Sequence, residues 1–104
     1  MNYSKLIKTI ITDPIEVSDE LWVFKIEIFK NQKGYFATLW RLDSYNIAPT
    51  FTSLAEHIAS ETFFIDDSFR FDGLGLYGDD VKYFQTLDEC RNYVLKCIDD
   101  EFGV

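Results

Sequence analysis

The residues best equipped for chemistry gather late in this chain. Between positions 66 and 80, Asp66, Asp67, Asp72, Asp79 and Asp80 are interleaved with Phe69, Phe71, Tyr77 and three glycines, and Tyr83 follows closely. Paired carboxylates can work as general acid and base, but only where one is held desolvated in a pocket, and nothing in the sequence requires that here. A calcium loop of the EF-hand kind needs oxygen ligands at its positions 1, 3 and 5. Counted from Asp67, positions 3 and 5 are Phe69 and Phe71; counted from Asp66, they are Ser68 and Arg70. Both counts fail. Gly73, Gly75 and Gly78 lack the lysine and following helix of a phosphate loop. His57 is the one histidine, and with Glu61 it makes two metal ligands, too few for a site. Cys90 and Cys97 fall on the apolar stripe of the last helix, where a thiol is inert. The sequence therefore predicts no catalytic residue, no metal and no cofactor.

Surface recognition remains. Aromatic side chains supply the anchored contact area that dominates interface energies, and carboxylates steer a basic partner into register. Asp66, Asp67, Phe69, Phe71, Asp72, Tyr77, Asp79, Asp80 and Tyr83 form the expected partner-binding set. The net charge of −8 agrees. It is uneven: residues 61–104 hold eleven acids and four bases, whereas residues 1–60 hold seven acids and six bases. Such a surface repels phosphates and anionic membranes and attracts basic proteins.

Several elements must position that set. At its centre, residues 22–42 read as a β-hairpin. Trp22, Phe24, Ile26 and Ile28 alternate with Val23, Lys25 and Glu27; a turn follows at Asn31-Gln32-Lys33-Gly34, then a second aromatic and aliphatic run to Leu42. The expected strands are 21–30 and 34–43, with a short turn at Asp43-Ser44 and a third strand over 45–51. Tyr3, Leu6, Ile7, Ile10 and Ile11 have helical spacing, so an N-terminal helix is expected, ending near Asp13 before Pro14. The β-branched run Thr9–Thr12 argues more weakly for a strand. Ser53 and Glu56 form a capping box for a short helix over 54–61, and Phe63–Ile65 suggests a brief strand. Val81–Gln85 reads as another strand. Thr86 and Glu89 cap a final helix whose stripe is Leu87, Cys90, Tyr93, Val94, Cys97, Ile98 and Phe102, with Gly103 as its stop. Cys90 and Cys97 would lie about 10 Å apart along that helix, too far for a disulfide. The expected fold is one α+β domain over residues 1–104: an antiparallel β-meander in two layers with the amphipathic C-terminal helix, plus the N-terminal helix. No apolar run approaches the roughly 20 residues of a membrane span, and Met1–Lys5 shows no secretory pattern. A cytoplasmic protein is expected.

The strand Trp22–Ile28, the run Phe36–Leu42, Pro49-Thr50-Phe51 and the strand-to-helix step Tyr83–Cys90 together resemble the small acidic immunity proteins of bacterial toxin systems, above all those of contact-dependent growth inhibition. The resemblance implies a cytoplasmic protein that neutralises a cognate toxin's C-terminal domain, often a nuclease, by blocking its basic cleft without itself binding nucleic acid or membrane. Two alternatives stand beside it. One is a phage-type acidic inhibitor that mimics nucleic acid. The other is a small ligand-binding α+β domain with a pocket between sheet and helix. Monomer and dimer are both compatible with the sequence.

Overall fold

The computed structural model describes residues 1–47, 59–76 and 78–103. Six strands precede one helix: β1 (Lys5–Ile11), β2 (Ile15–Val17), β3 (Glu20–Trp22), β4 (Phe24–Asn31), β5 (Gly34–Ile47), β6 (Ala59–Asp66) and α1 (Leu87–Phe102), with a 3₁₀ turn at Ser68–Arg70. The main sheet is antiparallel, in the order β1-β4-β5-β6; β2 and β3 form a separate hairpin. The chain is mostly antiparallel sheet with one C-terminal helix, so the α+β class fits broadly.

The N-terminal helix is not there: residues 5–11 form β1, paired with β4. A register shift between Leu6 and Lys8 marks a bulge. A bulge breaks the two-residue alternation of a strand, and the apolar doublets Leu6-Ile7 and Ile10-Ile11 then imitate a helical stripe. The β-branched run was the truer signal, because such side chains fit a pleated surface.

The central hairpin has the expected position. β4 pairs with β5 from Phe24↔Arg41 to Asn31↔Gly34. Asn31 Oδ1 accepts the Lys33 N–H at 2.8 Å, and of the four turn residues Asn31–Gly34 only Gly34 has positive φ, at 129°. Trp22 belongs to β3 rather than to this hairpin. Ser18 and Asp19, at φ 48° and 68°, make the two-residue turn between β2 and β3. Nor does the chain turn at Asp43-Ser44; β5 runs on to Ile47. The rest of the expected third strand and most of the expected 54–61 helix lie outside the described residues. Residues 59–61 belong to β6, which extends the expected Phe63–Ile65 strand in both directions.

The core lies between sheet and helix. Phe24, Ile26 and Ile28 of β4 and Ala37 and Leu39 of β5 are fully buried with Cys90, Val94 and Ile98 of α1. Those three helical positions are spaced by four, one face of the helix. Burying each such aliphatic side chain is worth about 1.5–3 kcal/mol. Thr86 Oγ1 accepts the Glu89 N–H at 3.1 Å, and Gly103, at φ 68°, returns its N–H to Asp99 O at 2.8 Å.

β5 is 14 residues long, and β6 pairs only with its second half, Trp40–Ile47. The 66–84 segment completes the first half. Asp67 N–H donates to Leu39 O, Gly75 N–H to Ala37 O, and Tyr35 and Phe84 exchange both backbone bonds, all at 2.8–2.9 Å. The expected strand 81–85 is thus reduced to a single bridge at Phe84. Here the backbones come so close that a Cβ on Gly34 would sit 2.5 Å from Phe84 O, whereas a Cβ on Gly78, also at positive φ, would meet nothing within 4 Å. Gly34→Ala is therefore expected to lower unfolding free energy by about 2–4 kcal/mol and Gly78→Ala by about 1 kcal/mol, read by urea denaturation. Equal losses would show that the close approach contributes nothing.

Candidate functional site: an acidic groove with an exposed phenylalanine

The segment that closes β5 also carries the predicted binding residues, and it sorts them into two groups. Asp67, Phe71 and Tyr83 face inward. Asp67 is 5% exposed, and its Oδ2 accepts from Arg70 Nε at 2.6 Å. Arg41 Nε stands 4.0 Å from the same oxygen, buried and without a hydrogen bond among the described residues. Phe71 packs against the core cluster. Tyr83 lies edge-on to Phe36 with ring centroids 5.5 Å apart, on the sheet face away from α1. All three make contacts within the fold; Asp67 is buried, while Phe71 and Tyr83 are half-buried and keep part of their surface in solvent. Their aromatic and acidic character alone could not distinguish burial from display.

Asp66, Phe69, Asp72, Asp79 and Asp80 are exposed. Tyr77 lies outside the described residues. Asp66 ends β6, and its Oδ1 accepts the Ser68 N–H at 2.9 Å. Phe69 is 87% exposed, although its neighbour Ser68 is buried. The 3₁₀ turn is the cause: Ser68 points in, where Leu39 N–H donates to its Oγ at 2.9 Å, and the next residue must then point out. Beside Phe69 runs a groove of about 360 Å³ lined by Asp66, Ser68, Phe69, Leu74, Gly75 and Leu76. Leu76 is itself exposed. The arrangement offers an apolar anchor, an apolar floor and a carboxylate lip.

Leu74, Leu76 and Ser68 were not among the expected site residues. The available signal was Leu74-Gly75-Leu76: a glycine between two leucines marks a place where backbone approaches backbone, here Gly75 on Ala37. A second feature was also missed. The guanidinium groups of Arg41 and Arg70 lie 5.0 and 5.2 Å from the centre of the Trp22 ring, and Phe102 packs edge-on to it. This stack binds the β2–β3 hairpin to the end of α1.

Neither cysteine is disposed to act as a nucleophile. Burial pushes the Cys90 thiol up to about 11 and raises Cys97 as well. Both are free thiols. His57 lies outside the described residues. Among the described residues, no three of His, Cys, Asp and Glu come together as a metal site, and no helix is long and apolar enough to cross a membrane.

The family described as Uncharacterised protein YehK matches residues 4–82, and the chain belongs to that family. The match takes in all six strands and the groove and stops short of α1. No curated protein and no solved structure matches the chain.

The two groups of aspartates should separate in stability measurements. Asp67→Ala strands Arg70 and is expected to cost about 2–4 kcal/mol. Asp66→Ala and Asp79→Ala should each stay within about 1 kcal/mol of the parent. Thermal or urea denaturation reads both. With a thiol-specific reagent at pH 8, Cys97 should react before Cys90, and Cys90 only as the protein unfolds.

Proposed function

We propose that this YehK-family chain is a non-catalytic binding protein that docks a basic protein domain through the Phe69 groove. One observation carries the reading. A large aromatic ring is held almost fully in solvent by a turn whose neighbouring residues are buried and hydrogen-bonded. Removing it from water would release about 2–3 kcal/mol, and the fold does not collect that itself. Because Ser68 and Asp67 fix the turn, little conformational entropy is lost when a partner takes the ring. Asp66 at the groove, with Asp72, Asp79 and Asp80 elsewhere on the same segment, supplies the charge that steers a basic surface into place.

The likeness to immunity proteins suggests the class of partner: a toxin's C-terminal domain, and above all a nuclease, whose cleft must be basic to hold phosphate. A projecting phenylalanine beside the Asp66 carboxylate, on a segment rich in further acids, can occupy such a cleft as a decoy. Neutralisation that leaves almost no free toxin calls for nanomolar affinity or better, about −12 kcal/mol, over an interface of roughly 800 Å² per partner.

The test is co-expression with a basic toxin domain encoded beside the gene, followed by calorimetry and stopped-flow mixing. Binding at nanomolar affinity with loss of toxin activity is expected. Phe69→Ala should weaken it about 30-fold or more, the loss typical of a central anchor, while unfolding free energy stays within about 0.5 kcal/mol. Reversing Asp66, Asp79 and Asp80 to Lys should slow association most at low salt. Undiminished affinity in Phe69→Ala, or a neighbouring toxin that is neither bound nor inhibited, would overturn the reading.

A further inference from the structure

The sheet's first edge differs in character from the groove. Among the described residues β1 pairs with β4 on one side only, and Lys5, Leu6, Ile7, Lys8, Thr9 and Ile11 are all exposed. Thr12 N–H points toward β4, bonding Phe24 O at 2.9 Å. Backbone direction alternates along a strand, so the N–H and C=O groups of Thr9 and Ile11 point outward. An exposed strand with an open row of donors and acceptors is a template for another strand.

Its charge is opposite to that of the rest of the chain. Residues 1–12 and 28–35 contain Lys5, Lys8, Lys30 and Lys33 and no acid at all, in a protein with 18 acids. Lys5 lies directly across from Lys30 in the β1–β4 register. Like charges in facing positions destabilise a sheet, so this pair gains if a carboxylate comes between them. A pocket of about 370 Å³ opens at the same place, with Met1, Tyr3 and Ile7 as its apolar lining and Lys5 and Lys30 beside them. Gln32 Nε2 donates to Asn2 Oδ1 at 2.6 Å, tying the N-terminal residues to the β4–β5 turn.

We infer that β1 receives an extended segment of a protein partner as a fifth strand, and that this segment alternates apolar and acidic residues. Its backbone would pair with Thr9 and Ile11. An apolar side chain would enter the Tyr3–Ile7 pocket, and its carboxylates would meet Lys5, Lys30 and Lys8. A second copy of this chain is the poorer occupant. Antiparallel self-pairing of β1 sets one lysine-bearing edge against another with no facing acid strand, and the bulge beside Lys8 disturbs the flat edge that such pairing needs. Lysines and a bulge thus deter the like chain and leave an acidic strand favoured.

The probe is an acetylated, amidated eight-residue peptide alternating glutamate with valine and isoleucine; its counterpart has lysine in place of glutamate. Amide exchange and chemical-shift perturbation are followed on the full chain. The acidic peptide is expected to slow exchange at Thr9 and Ile11 at least fivefold and to shift resonances within residues 1–12 and 28–35. The lysine peptide should do neither. In the double variant Lys5→Glu, Lys30→Glu, affinity for the acidic peptide should fall at least tenfold while the lysine peptide begins to bind. Both positions flank the pocket and form no ion pair among the described residues, and circular dichroism confirms that the variant is folded. No protection at millimolar acidic peptide overturns the inference. So does equal binding of both peptides, tighter binding of a single-stranded oligonucleotide of the same charge, or protection of Thr9 and Ile11 that grows with protein concentration alone.

Discussion

The structure depends on one backbone constraint: β5 outruns its neighbour. β6 covers Trp40–Ile47, which would leave the N–H and C=O groups of Tyr35, Ala37 and Leu39 open along the middle of the fold, close to the buried core. A buried peptide group without a partner costs as much as a lost hydrogen bond. The chain answers with a segment that is not itself a strand. Asp67, Ser68, Gly75 and Phe84 each present one or two groups to β5 at the points where β6 is missing. The residues between these points are then fixed in direction by their neighbours. This explains how residues 67–76, rich in glycine and aspartate, follow a fixed path with no more regular structure than a 3₁₀ turn, and why a phenylalanine within them is held outward.

That constraint also assigns the aspartates. The carboxylate of Asp67 sits where the 3₁₀ turn meets the Trp22 stack, beside two guanidinium groups, and there it offsets two cations gathered near one indole ring. Asp66, one residue earlier, is on the opposite side of the chain and open to water. Neighbouring acids thus do different work, one internal and one available, because a single peptide step reverses direction at the end of a strand.

How much of this was legible in the residues follows the same logic. The α1 helix was readable from cap to stop, because Thr86, the spacing of Cys90, Val94 and Ile98, and Gly103 all state the same thing locally. The β4–β5 hairpin was readable for the same reason. β1 was not, because its bulge replaced a period of two with doublets that fit a helix equally well, and only the β-branched Thr9–Thr12 run argued otherwise. The uninterrupted passage of β5 through Asp43-Ser44 was also hidden: those residues favour turns, and pairing with Phe63 and Thr62 overrides the preference. In the candidate site, exposed and inward aspartates carry the same letter. Which is which depends on hydrogen bonds to Leu39 and Ala37, nearly thirty and forty residues away in sequence, and no local pattern encodes them.

The net charge conceals a further division. A total of −8 describes a uniformly acidic particle, yet the β1 edge and the β4–β5 turn hold four lysines and no acid. Sheet order places β1 three strand spacings from β6, about 14 Å. Physiological salt screens charges over about 8 Å. At that separation an approaching surface senses the nearer end far more than the total. Lys5 and Lys8 on β1 are therefore not cancelled by Asp66 at the end of β6, whereas Lys33 in the β4–β5 turn reaches the 66–84 segment, its Nζ 5.6 Å from the centre of the Tyr83 ring. A small sheet can hold two surfaces of opposite preference when its strands keep them more than a screening length apart, and here the three hydrogen-bonded steps from β1 to β6 keep that separation fixed.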